Sequence, residues 1–216
     1  KAEDLSIPHF KNIALCSGLS DNKVNAIYKD ADGFMWFGTD YGLSRFNGSS
    51  IKNFALDNSR SFVERITQLA PQRLCVKIDG SFFSFNQASE SFHPILFPSM
   101  KGKVLDIHPL ADGCCWLIGQ EEILHCQLKE AQETGQMSLV PTISFSPLPS
   151  SAGAITFYTL SSDGYYLYLT DDSSHLSVIH LPSQQVEQYI QLAEEPLEVR
   201  DILDFEQYVW IATVAN

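Results

Sequence analysis

Between residues 24 and 54 apolar and polar positions alternate in four short segments, VNAIYKD, FMWFGT, LSRFN and IKNF, separated by the turn sequences ADG, DYG and GSS. Successive side chains of a strand point to opposite faces, so alternation of period two between such turns predicts strands joined by tight hairpins. Asp32-Gly33 and Asn47-Gly48 supply the positive φ that a tight hairpin loop demands. The stretch therefore predicts a four-stranded antiparallel meander.

The pattern returns along the chain. VNAI at Val24 is followed by VERI at Val63, VLDI at Val104, ITFY at Ile155 and VRDI at Val199, at intervals of 39, 41, 51 and 44 residues. The second segment returns as LCVKI from Leu74, CWLIG from Cys115, YLYLT from Tyr166 and VWIAT from Val209. Asp-Gly turns come before it at Asp32-Gly33, Asp112-Gly113 and Asp163-Gly164, and Trp36, Trp116 and Trp210 fall at matching places. The longest interval contains the polar insertion KEAQETGQM at Lys129–Met137.

Four-stranded units at a period of about forty residues are the sequence mark of a β-propeller, each unit forming one blade. The expected fold is all-β: a partial propeller of about four and a half blades, at approximately 24–62, 63–103, 104–154, 155–198 and, incomplete, 199–216. The tryptophans fit this reading, since a large apolar side chain on the second strand fills the wedge between neighbouring blades. Only Glu187–Leu192 hints at a helical period.

Charge narrows the partners. With 14 Lys and Arg against 26 Asp and Glu, the formal charge is −12, which argues against nucleic acid and anionic membrane surfaces. No apolar run approaches the ~20 residues of a spanning helix. The five cysteines, Cys16, Cys75, Cys114, Cys115 and Cys126, show no CxxC pairing and are expected to pack as small buried residues.

Few residues suggest chemistry. The glycines of Asp30–Gly48 precede a strand rather than a helix and lack the GK[ST] of a phosphate loop, so they are turn glycines and imply no nucleotide cofactor. A metal in a propeller channel would need carboxylates or histidines from several inner strands. Asp106 and His108, two apart on one strand, are the best such pair, and hydrated polar groups are their plainer reading. Asp171–His175 (DDSSH) lacks the glycine and distal glutamate of a calcium loop and is expected to be a solvated hairpin tip. No catalytic residue, metal or cofactor is assigned.

DxDGFxWFGTxxGLxRFxG over Asp30–Gly48 resembles the repeat of the two-component regulator propellers. FKNIALCSGLSDNKVNAI, over Phe10–Ile27, is similar to that family's lead-in, with GLS followed by a VxxI strand. The resemblance implies the periplasmic sensor region of a Bacteroidetes-type hybrid two-component histidine kinase. Such a region would bind an oligosaccharide and signal to a kinase outside this chain, and would itself catalyse nothing. Membrane contact would come only through a missing C-terminal part. Blade faces left uncovered would favour self-association, as a dimer. A metal-dependent propeller lyase or lactonase, or a pure interaction scaffold, are the alternatives.

Within a meander, the connections between strands two and three and between successive blades emerge on one face, where binding loops can vary. A sugar site needs an aromatic platform with polar and charged neighbours. Asp40 and Tyr41, with Arg60 from the next connection, come nearest to that recipe and are the candidate ligand-binding residues.

Overall fold

The computed structural model describes residues 12–56, 60–146, 155–161, 163–205 and 208–214. The first sheet comprises β1 (Val24–Lys29), β2 (Met35–Thr39), β3 (Gly42–Phe46) and β4 (Ile51–Phe54). The second comprises β5 (Val63–Ala70), β6 (Arg73–Ile78), β7 (Ser81–Asn86) and β8 (Ser91–Pro94). The third holds β9 (Val104–Pro109), β10 (Cys114–Gly119), β11 (Ile123–Glu130) and β12 (Met137–Phe145). The fourth holds β13 (Ile155–Leu160), β14 (Tyr166–Asp171), β15 (His175–His180) and β16 (Gln185–Gln191), and β17 (Val199–Phe205) pairs with β18 (Tyr208–Thr213). Every sheet keeps chain order, the arrangement of antiparallel meanders.

The chain divides into two compact units. One is Lys1–Phe97 with Ala111–Gly113 and Leu128–Leu139; the other is Pro98–Leu110, Cys114–Gln127 and Val140–Asn216.

The first turn shows why its sequence reads as it does. Gly33 sits at φ +87°, where an L side chain is strained, and donates its amide to the Asp30 carbonyl at 3.1 Å. The buried Asp30 carboxylate then ties two elements together: Oδ1 accepts the Phe34 amide at 2.9 Å and Oδ2 accepts the Trp36 indole N–H at 2.7 Å. In the fourth sheet Ser161 takes this place, its hydroxyl accepting the Tyr166 amide at 2.9 Å.

Trp36 is fully buried, as a wedge residue should be. With Leu43 it packs against Val63, Ile66, Leu74, Val76 and Phe85 of the next sheet. Its ring meets that of Phe85 edge-on at 5.6 Å. In the second unit Trp116 and Ile123 do the same against Leu167, Leu169 and Ile179, and Tyr168 with Leu176 against Val199 and Ile202. Tyr168 brings a polar tip to the wedge and hydrogen-bonds Asp204; burial first, then that carboxylate, pushes its phenol up. Trp210 departs from expectation. It occupies the matching position on β18 yet is 62% exposed, because no described strand lies over that face.

A feature absent from the sequence reading recurs in all five sheets. The first strand slips register against the second at its second residue: Asn25, Glu64, Leu105, Thr156 and Arg200. Each is the extra residue of a β-bulge, which bends a strand and re-aims a side chain. The next residue can stabilise the bend. Asp106 Oδ1 accepts the Ile107 amide and Asp201 Oδ1 the Ile202 amide, both at 2.9 Å. Asp106 is buried, while His108 is half-buried.

Gly38 marks how closely the first two sheets approach. A β-carbon there would lie 2.5 Å from Val63 Cγ1 and 3.2 Å from the Ala26 β-carbon. Valine is β-branched and Val63 is fully buried, so it has nowhere to turn. Gly38→Ala is expected to destabilise the chain by about 1–3 kcal/mol in urea unfolding; an unchanged midpoint would show that the wedge is looser than drawn.

Other expectations need adjustment. Glu187–Leu192 is not helical: residues 187–191 belong to β16, whose residues are all exposed. The insertion at 129–137 is the β11–β12 hairpin, with Glu130 paired to Arg73. Cys75, Cys115 and Cys126 are buried, but Cys16 is exposed and Cys114 is half-buried. Of the variable connections, residues 57–59 and 147–154 lie outside the described residues.

Candidate functional site

The bulges and the turns between second and third strands lie at one end of each four-stranded sheet, and in three of these sheets the bulged side chain reaches toward the turn. Asn25 Nδ2 donates to Asp40 Oδ1 at 2.9 Å. Glu64 Oε1 accepts the Gly80 amide at 2.5 Å, and the Thr156 hydroxyl donates to the Thr170 carbonyl at 3.2 Å. In these three sheets the bulge thus turns the first strand's second residue into a brace for the end of the second strand and the turn that follows it.

In the first unit the structure brings the three candidate residues together. Arg60 Nη2 lies 2.6 Å from Asp40 Oδ2, and Tyr41 follows Asp40 in the turn, its amide held by Thr39 Oγ1 at 3.1 Å. Two partners were not anticipated: Asn25, and Lys23, whose ammonium is 3.3 Å from Asp40 Oδ2 and 5.5 Å from the centre of the Phe62 ring. The hydrogen bond from Asn25, with those from Arg60 and Lys23, holds the Asp40 carboxyl below the usual range against the opposing effect of burial. A depressed folded pKa means that these contacts are fully present at neutral pH and are lost only as pH falls through that lowered value.

Asp40 itself is buried; Tyr41, Arg60 and Lys23 are the exposed members. The carboxylate therefore serves as a hub that positions two cations. Two positive charges stand around one negative charge, in a chain whose overall charge is −12.

In the second unit Asp172 and Ser173 form an exposed hairpin tip, while the flanking Asp171 and Ser174 are buried beneath it. Asp171 is buried, and its Oδ1 accepts the amides of Ser173 at 3.0 Å and His175 at 2.9 Å. Oδ2 accepts the Tyr189 hydroxyl at 3.2 Å, and the His175 and Tyr189 rings stack at 4.5 Å. Burial alone would raise this carboxyl, but the His175 amide, the Tyr189 hydroxyl, the His175 ring and the Ser173 amide outweigh it and hold it low. A carboxylate so engaged organises the turn. Asp106 and His108 lie on β9 opposite Ile118 and Trp116.

Chain-ordered four-stranded meanders with apolar wedges define a β-propeller, and solved propellers share the fold. The Swd1 β-propeller domain from Myceliophteria thermophila aligns at TM-score 0.54 and 9% identity, over 84% of this chain and 60% of its own. The pattern of the two component regulator propeller family matches residues 18–41, the lead-in and first two strands of the first sheet, a span that includes Asp30, Trp36, Asp40 and Tyr41. A structure described as the extracellular domain of a hybrid two component system from B. thetaiotaomicron aligns at TM-score 0.60 and 20% identity, over 94% of this chain and 29% of that one. Virginiamycin B lyase from Staphylococcus aureus, an inactive variant with quinupristin, aligns at TM-score 0.60 and 16% identity, over 91% and 64%. The chain thus spans less than a third of the B. thetaiotaomicron extracellular domain. No curated protein matches it significantly in sequence. Among the described residues no helix is long and apolar enough to cross a membrane.

Proposed function

We propose that this chain is a ligand-sensing part of the extracytoplasmic propeller of a hybrid two-component regulator, that its ligand is an oligosaccharide, and that it catalyses nothing itself. The regulator repeat at residues 18–41 carries the reading, and the likeness to the extracellular domain from B. thetaiotaomicron supports it. Tyr41 offers the sugar an aromatic face, while Arg60 and Lys23 donate to its hydroxyls from positions fixed by Asp40. A kinase outside these residues would read the change, which must come from different ligand affinities in two arrangements of the receptor. The same reading places the chain in the periplasm and allows a dimer.

Thermal unfolding against a panel of plant and host oligosaccharides, with and without EDTA, tests this. A sugar at a hundred times its Kd adds about 2.7 kcal/mol of stability. A shift that survives EDTA, with a Kd that rises at least tenfold in Arg60→Ala, supports the proposal, since a hydrogen bond to a charged group contributes about 1.5–3 kcal/mol. The likeness to a lyase gives the enzyme reading its footing. It gains if stabilisation by ligand needs a divalent ion, and a panel without any shift removes the saccharide from the proposal.

A further inference from the structure

The position occupied by the Asp40 cluster has a counterpart in the second unit, and there it is open. Gly38 pairs with Ala26 and Thr170 with Phe157, so two residues further on Asp172 stands where Asp40 does. Val63 and Val199 begin the following first strands, so three residues back Pro196 replaces Arg60. Where the first unit holds a guanidinium across the turn, the second has a cleft of about 550 Å³. Its walls include Thr156, Phe157, Asp172, Leu197, Glu198 and Arg200.

The cleft is a built feature. Its far wall, the connection after β16, is pinned by the buried Ser174, whose hydroxyl accepts the Leu197 amide at 2.7 Å and donates to the Glu195 carbonyl at 2.9 Å. The Ser174 carbonyl accepts the Leu192 amide, and the Glu198 carbonyl accepts the Val214 amide at 3.0 Å. A wall held from several sides lowers the ordering cost of binding. The volume lies within the ~300–1,000 Å³ of small-molecule sites.

The charges select the ligand. Arg200 and Glu198 neutralise each other at 2.6 Å. Asp172 is exposed and, among the described residues, its one side-chain hydrogen bond comes from Ser173 Oγ at 3.4 Å. What the cleft presents is one acceptor-only carboxylate beside the apolar surfaces of Phe157 and Leu197. We propose that it binds a pyranose ring whose apolar face lies on Phe157 and Leu197 and whose hydroxyls or amine donate to Asp172. The net negative charge makes it favour an amine-bearing sugar over a neutral one and both over a uronate. The first-unit cluster, with its excess of cations, has the opposite preference. The saccharide class rests on the sensing proposal; the position and the order of preference rest on the cleft.

The test is an NMR titration of the ¹⁵N-labelled chain with methyl glycosides of glucosamine, glucose and glucuronic acid. Glucosamine is expected to bind most tightly and glucuronate at least tenfold more weakly, with amide shifts at Thr156, Asp172, Leu197 and Arg200. Asp172→Asn, at an exposed position, should remove the preference for the amine while leaving the spectrum of the free protein otherwise intact; Arg60→Ala should leave this site unchanged. Sugars that shift the amides around Tyr41 and Arg60 but not those of the cleft would overturn the cleft and keep the sensing proposal. Equal affinity for all three glycosides at the cleft would overturn its charge selection. No shift anywhere with any glycoside would overturn the saccharide assignment at both places.

Discussion

Replacing Trp36 by alanine is expected to cost about 3–5 kcal/mol, the range for removing a large aromatic side chain from a packed core. The same substitution at Trp210 should change stability by no more than about 0.5 kcal/mol. The two residues hold matching places in the repeat, and the difference lies in their surroundings. Trp36 is fully buried against Val63, Ile66, Leu74 and Phe85, whereas Trp210 is 62% exposed. Trp116, with its ring edge-on to Phe145 and the core of the second unit around it, belongs with Trp36. Urea unfolding of the three variants, followed by circular dichroism, makes the comparison. Equal losses for Trp36 and Trp210 would mean that β18 is covered in solution, by another copy or by protein beyond these residues.

Asp30→Ala is the second large effect, expected at about 3 kcal/mol. Each hydrogen bond to a charged group contributes about 1.5–3 kcal/mol, and a buried donor left without an acceptor costs about 1–3 kcal/mol. Asp30 satisfies two such donors, the Trp36 indole and the Phe34 amide. Asparagine is a poor substitute, because its NH₂ group would face one of those donors. A double-mutant cycle with Trp36→Phe separates the indole bond from the turn: a coupling of 1.5 kcal/mol or more is expected for a bond of this kind. A coupling near zero would assign the whole role of Asp30 to the turn.

Much of this arrangement could be read from the residues alone, for identifiable reasons. The Asp-Gly turns were legible because positive φ is a local demand, met by glycine wherever the chain reverses. The wedge tryptophans were legible as candidates, but burial depends on what packs opposite, so Trp36 and Trp210 looked alike. The pairing of Asp40 with Arg60 followed from topology, since both connections emerge at one end of the sheets. The bulge had a signal that the alternation rule passed over. In VxxI the two apolar residues are three apart, which in a regular strand would put them on opposite faces. Val63 and Ile66 share one core, and Val199 and Ile202 another, because the inserted residue between them restores the phase. Read that way, VxxI announces the bulge and identifies Asn25 as the brace beneath Asp40. The open cleft had no comparable signal, for it depends on where Ser174 holds the connection after β16 and on proline standing where the first unit has arginine.

The contrast between Trp210 and its two buried counterparts gives the molecule a built-in optical reporter. Indole emission is red-shifted in water and blue-shifted in protein, and a small soluble quencher reaches only the former. The long-wavelength, quenchable part of this protein's fluorescence should therefore come from Trp210 alone. Any surface that settles on β18 will announce itself by a change in colour, without a label and at concentrations where assembly is still incomplete.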